Sequence, residues 1–177
     1  MTIALYPFMV LAAIGLLLSL GVHIMTLALL PIPGGGTVWA LHIGIFVVWI
    51  PTVLVARRMT RQASRRDFWR ATLRGCPGWM RTGVHIFFGY AFVNFALFFI
   101  GTVGHPKPTG AAPPVVVRGF SGHWMFFYSA AFATLYSAIH ASHLLRDRRC
   151  PRDHAVSHTA TFCPDCGAQL ESEGRDA

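Results

Sequence analysis

The placement of charge constrains this chain more than any motif does. Residues 1–56 contain no Lys, Arg, Asp or Glu, and residues 82–145 contain only Lys107 and Arg118. All seven acids and thirteen of the fifteen bases fall within 57–81 and 146–177. Charged residues make up 12% of the chain, roughly half the ~25% usual in soluble domains. The distribution excludes an ordinary soluble domain, a disordered chain and a nucleic-acid-binding domain with a basic coat. It points to an integral membrane protein.

A helix needs about 20 mostly apolar residues to cross the roughly 30 Å hydrocarbon core. Four runs meet that length: 8–30, 38–56, 83–104 and 119–145. The expected fold is an all-α, four-span antiparallel transmembrane bundle over 1–145, followed by a small tail at 146–177. The first run reads as an uncleaved span. It has no positively charged start, and it is longer than the roughly 7–15 residues of a signal core.

Loop 57–81 holds eight arginines (Arg57, Arg58, Arg61, Arg65, Arg66, Arg70, Arg74, Arg81) against one acid, Asp67. The opposite connections, Pro31–Thr37 and His105–Arg118, carry two bases between them. This bias predicts a multi-pass protein of the bacterial cytoplasmic membrane with the loop and both termini inside. The net charge of +8 is then mostly a topology signal. The basic loop would also attract the anionic headgroups of the bilayer, and no nucleic-acid partner is expected.

The connections suit that layout. Pro31-Ile32-Pro33-Gly34-Gly35-Gly36 is incompatible with helix and predicts a tight hairpin, while four prolines predict an extended strap over 105–118. Within 57–81, Ser64 with Asp67 predicts the cap of a short helix, stopped by Gly75 and Pro77. On it Phe68, Trp69, Thr72, Leu73 and Cys76 share one side, opposite Arg66, Arg70 and Arg74, as in a helix lying in a membrane surface. Cys76 reads as structural. Trp39 and Trp124 would mark one interface, Trp69 and Trp79 the other. Small residues at helical spacing, Ala130, Ala133, Thr134, Ser137 and Ala141 in the last span and Gly15 and Ser19 in the first, predict close helix packing.

With no carboxylate in any span, histidine is the main ionisable group inside the membrane. His23, His42 and His123 fall toward the outer side, with His105 at the rim. His85, His140 and His143 fall toward the inner side. Histidines near span ends can serve as amphipathic interface residues. A neutral ring hydrogen-bonded to Ser, Thr or a carbonyl accounts for the deeper His23 and for His140. The alternative is a cofactor site. A bundle can hold b-type haem between facing histidines, with His23 or His42 opposite His123, and His85 opposite His140. Met25 and Met125, beside His23 and His123, would suit copper(I).

The strongest local signal lies in the tail, in CPRDHAVSHTATFCPDCGAQL. Its second half, Phe162-Cys163-Pro164-Asp165-Cys166-Gly167-Ala168-Gln169-Leu170, resembles a knuckle of the Cys-Pro-x-Cys-Gly zinc-ribbon family. A Cys-x-x-Cys turn points two thiolates at one tetrahedral ion. The first half departs from the family pattern, with Cys150 followed by His154 and His158 in place of a second cysteine. The resemblance implies a structural zinc held by Cys150, His154, Cys163 and Cys166, with His158 as the alternative ligand. Reduced cytoplasmic thiols favour metal over disulfide.

The membrane part resembles many small uncharacterised bacterial inner-membrane proteins, a likeness that brings no activity with it. No paired carboxylates, nucleophile elbow, phosphate loop or HExxH helix occurs, so no enzyme is expected. The expected function is that of a structural or interaction protein whose zinc-binding tail docks an unidentified cytoplasmic protein. Electron transfer by a haem- or metal-binding membrane protein is the alternative. A transporter subunit is third, and it would have to form a homo-oligomer to build a path.

Overall fold

The computed structural model describes residues 2–32, 35–61, 63–103, 114–146, 148–157 and 160–170. Five α-helices account for most of them: α1 Tyr6–Leu27, α2 Ala40–Met59, the short α3 Phe68–Thr72, α4 Gly78–Thr102 and α5 Pro114–His140. Single 3₁₀ turns lead into α1 and α2 and follow α5. Helix is the expected outcome for such apolar runs, because a chain in hydrocarbon must satisfy its backbone N–H and C=O groups within the segment.

Three helical stretches, Thr2–Leu27, Gly35–Met59 and Gly78–Gly101, are long and apolar enough to cross a membrane. They mark the chain as a membrane protein. Their large side chains face outward: Leu17, Ile43, Phe92 and Ile100 are each about two-thirds exposed or more. The buried residues of α1 are Ala12, Gly15, Ser19, His23 and Thr26, mostly small, whereas α2 buries Ile45, Val48, Thr52, Val55, Ala56 and Met59.

The fourth long helix differs in composition and in place. α5 packs against α1, α2 and α4 and is the hub of the bundle. Fifteen of its 27 residues are buried, among them Ala130, Ala131, Ala133, Thr134, Ser137 and Ala138. Small residues let three helices approach one axis closely, which is the use expected of them. A helix enclosed by others need not be apolar itself, and α5 is not among the stretches apolar enough to qualify as a span.

The helix limits differ from those expected. The first helix ends at Leu27 instead of residue 30, because Leu29 turns into the left-handed region at φ 56°. The second runs on to Met59, and the third begins at Gly78, directly after Pro77. The last begins at Pro114, so the final five residues of the expected strap are helical. Proline is well suited to the first position of a helix, where its missing N–H leaves no bond unmade. The remainder of that strap, with His105 and Lys107, lies outside the described residues.

The connection between α2 and α4 is folded onto the bundle. Ser64 caps a 3₁₀ turn at Arg65–Asp67, accepting from the Asp67 N–H at 3.3 Å and donating to its carboxylate at 2.7 Å. After α3 the chain presses against α5. The Gly75 N–H donates to Ser137 Oγ at 3.0 Å, and the Cys76 thiol donates to the Ala133 carbonyl at 3.0 Å. A Cβ at position 75 would lie 2.6 Å from the Ser137 carbonyl oxygen, so the close approach requires glycine. Burial pushes the Cys76 thiol up to about 11, against the lowering influence of Arg81 and Ser137.

Candidate metal centre

The tail is held by very little secondary structure. Strands β1 Arg148–Arg149 and β2 Ala155–Val156 pair antiparallel, with Arg148 opposite Val156. Between them Cys150 starts a tight turn, its N–H donating to the His154 carbonyl at 3.0 Å and its carbonyl accepting from Asp153 at 2.8 Å. Asp153 adopts φ 64°, and its carboxylate pairs with Arg149 at 2.9 Å. This non-glycine residue in the left-handed region occupies the position where the family pattern has its second cysteine. Its turn brings the next residue, His154, inward.

The second knuckle is more regular. Gly167 follows Cys166 at φ +68°, a conformation that an L side chain resists. Its N–H donates to the Cys163 carbonyl at 2.9 Å, while the Cys163 N–H donates to Ala168 at 2.8 Å. Phe162 and Gln169 form an isolated antiparallel bridge. Cys150, Val156, Cys163 and Leu170 are buried together as a miniature core. The Arg148 guanidinium braces it by donating to the carbonyls of Ser157 and Ala160, at 3.3 and 3.0 Å.

These turns converge four ligand atoms. The sulfurs of Cys150, Cys163 and Cys166 and a ring nitrogen of His154 all lie within 4.8 Å of one another. His154 Nδ1 is 3.5 Å from Cys150 Sγ and 3.7 Å from Cys163 Sγ, and Cys150 Sγ is 3.8 Å from Cys166 Sγ. A tetrahedral ion with Zn–S of about 2.3 Å and Zn–N of about 2.0 Å separates N from S by about 3.5 Å and S from S by about 3.8 Å. The observed separations match, so the residues fit a four-coordinate ion, with His154 ligating through Nδ1. Four protein ligands would close the coordination shell.

The thiols differ in ease of ionisation: the Ala168 N–H acts to lower Cys166, but burial and the neighbouring Cys163 and Cys150 thiols outweigh that and raise it, whereas Cys150 is lowered. Burial acts to raise the Cys150 thiol, but the backbone N–H groups of His154 and Arg152 and the thiols of Cys163 and Cys166 outweigh it, bringing it down to about 7. The thiolate is the metal-binding form. The predicted set of Cys150, His154, Cys163 and Cys166 is therefore brought together, while His158 lies outside the described residues.

The membrane histidines are placed differently from one another. His23 is buried, with Nδ1 2.8 Å from Ser121 Oγ on α5 and Nε2 hydrogen-bonded to Tyr90 on α4. Ser121 Oγ is also 3.1 Å from the Arg118 carbonyl oxygen. Ser121 thus lies between the His23 ring and the Arg118 carbonyl, and the donor and acceptor roles along Tyr90, His23 and Ser121 follow the ring's tautomer. The chain of bonds runs Tyr90 to His23 to Ser121 to a backbone carbonyl. While it stands, neither ring nitrogen of His23 remains for a metal.

His42 accepts from the Trp124 indole N–H at 3.0 Å and stacks on His123, with ring centroids 6.2 Å apart. His85 and His140 are exposed and donate to carbonyls of their own helices, Arg81 at 2.6 Å and Tyr136 at 3.0 Å. Of the candidate axial pairs, the described contacts bring together His42 and His123 and not His23 and His123 or His85 and His140. Sequence reasoning missed Tyr90. Its one signal was spacing, since Tyr90 and Asn94 stand four residues apart on one face of α4, and Asn94 Nδ2 also donates to the Arg118 carbonyl, at 2.9 Å.

No protein-family model, no curated protein and no solved structure matches the chain.

Proposed function

We propose that this chain is a four-span inner-membrane protein that holds a structural zinc ion in its cytoplasmic tail and uses the resulting ribbon to dock a cytoplasmic protein. The observation that carries the reading is the convergence of Cys150, His154, Cys163 and Cys166 at tetrahedral separations, a few residues beyond the end of the bundle. α5 is the proposed fourth span. Its 27 residues measure about 40 Å, more than the roughly 30 Å hydrocarbon core, and its contacts with α1, α2 and α4 run through the body of the bundle. The arginines of 57–81 and 146–152 support placing that end in the cytoplasm.

A closed Cys3His shell suits a scaffold and leaves no position for a catalytic water, so the tail acts by presenting a surface. Electron transfer through haem and transport lack a comparable observation. The bonds of His23 run to Tyr90 and Ser121, and that chain ends on a carbonyl that cannot pass a proton onward.

Metal analysis of the purified full-length protein tests the reading. About one equivalent of zinc is expected, and Cys163→Ser should lose most of it. Less than about half an equivalent, unchanged by the substitution, would remove the docking module's support. Reporter fusions after Ala177 and within 109–112 test the orientation, and periplasmic signal from the tail fusion would overturn it.

A further inference from the structure

The metal centre leaves the other charged region of the chain unused. Residues 57–81 carry eight arginines and one acid, Asp67. That acid is occupied by the Ser64 hydroxyl and the local turn, and among the described residues no ion pair joins it to an arginine. Arg57, Arg65, Arg66 and Arg70 are exposed.

These arginines do not sit on a free loop. Leu73 and Cys76 are buried against Ala130 and Ala133 of α5, the Gly75 N–H is bonded to Ser137, and α3 lies against α2. The result is a shelf fixed across the end of the bundle, where α2 leaves the apolar zone and α4 enters it. Phe68 and Trp69 flank the arginines, each a little over one-third exposed. Trp69 meets Phe68 edge-on at 5.5 Å and reaches α4 and α5 through His85 and Phe126.

Within 57–81 Asp67 is the one acid against eight arginines, so the shelf carries net positive charge. Guanidinium forks match phosphate oxygens two at a time. Exposed amphipathic rings at a helix end belong at the depth of lipid headgroups. An occupant must therefore bring negative charge, offer paired oxygens and lie at that depth.

We propose that the Arg65–Arg70 shelf binds the phosphate groups of anionic lipids and enriches those lipids around the protein. The proposal rests on the membrane reading above. It is independent of which leaflet the shelf faces.

Energy transfer from the protein's tryptophans to a dansyl-labelled lipid tests it, using full-length protein in phosphatidylcholine vesicles. Labelled phosphatidylglycerol should accept more strongly than labelled phosphatidylcholine, by about twofold or more, since each arginine near an anionic surface strengthens attraction about fivefold. The triple variant R65Q/R66Q/R70Q, with unchanged circular dichroism, should reduce the ratio to about one. Equal transfer with the unaltered protein, or a preference that survives in the variant, would overturn the proposal.

Competition on the unaltered protein needs no variant. Unlabelled phosphatidylglycerol should displace the labelled lipid, and inorganic phosphate should not. Displacement by phosphatidylcholine just as well, or by inorganic phosphate, would overturn the assignment to anionic lipid. Protein stripped from the vesicles by alkaline wash would refute the spans themselves. Protein that stays and shows no preference refutes only the shelf.

Discussion

Two serines show how burial and hydrogen bonding divide the labour inside the bundle. Ser121 sits between His23 Nδ1 and the Arg118 carbonyl, in hydrogen-bond reach of both. Ser19 is equally buried, and its hydroxyl is the one buried side-chain polar atom among the described residues without a partner. Ser121→Ala should therefore cost about 1–3 kcal/mol, because it takes a hydrogen-bond partner from the buried His23 ring. Ser19→Ala removes an unpaired group and should be neutral or stabilising. Thermal unfolding in detergent compares the two, and equal losses would refute the contrast between a bonded and an unbonded hydroxyl. Cys76 makes a further case. With its pKa pushed up to about 11 by burial, its neutral form stabilises the fold at all pH values below the ordinary 9.0, and that contribution disappears as pH rises through 11. At pH 8 only about one thiol in a thousand is ionised. Alkylation at that pH should spare Cys76 and, once metal is removed, modify Cys150, Cys163 and Cys166; mass spectrometry of the labelled peptides reads the order. At this scale the sequence foretold a hydroxyl or carbonyl partner for His23. It could not single out Ser121 or Tyr90, which lie 98 and 67 residues away along the chain.

The end of α1 is a motif closed by an unsuitable residue. Leu30 N–H donates to the Met25 carbonyl and Leu29 N–H to Thr26, the paired bonds of a Schellman cap. The left-handed position belongs to Leu29, which packs little against the rest of the protein at 84% exposed. Leu29→Gly should raise stability by about 1 kcal/mol, the strain of a left-handed L residue, measured as a higher unfolding midpoint. Gly75→Ala should act in the opposite sense by about 1–3 kcal/mol, because the added methyl would press on Ser137 and Ala141. Loss of the Gly75–Ser137 contact would free the shelf, so faster protease cleavage within 57–81 should accompany the lower midpoint. Apolar runs announced these elements without marking their ends. Proline and glycine suggested turns near 31–36 and 75–77, but the left-handed Leu29 carries no signal of its own. The start of α5 at Pro114 was hidden by three other prolines that suggested an extended strap.

For the whole molecule, charge distribution and the Cys/His spacing were both legible, because each expresses a local rule: apolar length for crossing a bilayer, ligand spacing for gathering an ion. The central position of α5 was not, because it follows from contacts between helices far apart in the chain. Its alanines and serines hinted at packing without saying that three helices share it. Tail and bundle are also held by different physics. The bundle is a body of packed helices, while the tail has two buried aliphatic side chains, Val156 and Leu170, around its cysteines. A core of that size stabilises a fold by only a few kcal/mol before chain entropy is counted, whereas zinc in small finger peptides contributes about 10–16 kcal/mol. Chelation should therefore unfold 148–170 and leave the helices intact. Far-ultraviolet circular dichroism should barely change, since the described helices all end by Leu145. Trypsin should cut after Arg149 and Arg152 about tenfold faster or more in the chelated protein, and restoring zinc should restore protection. Equal cleavage with and without metal would mean that the ribbon folds without an ion. Loss of helical signal on chelation would mean that the tail and the bundle unfold together, and the independence argued from their separate cores would be wrong.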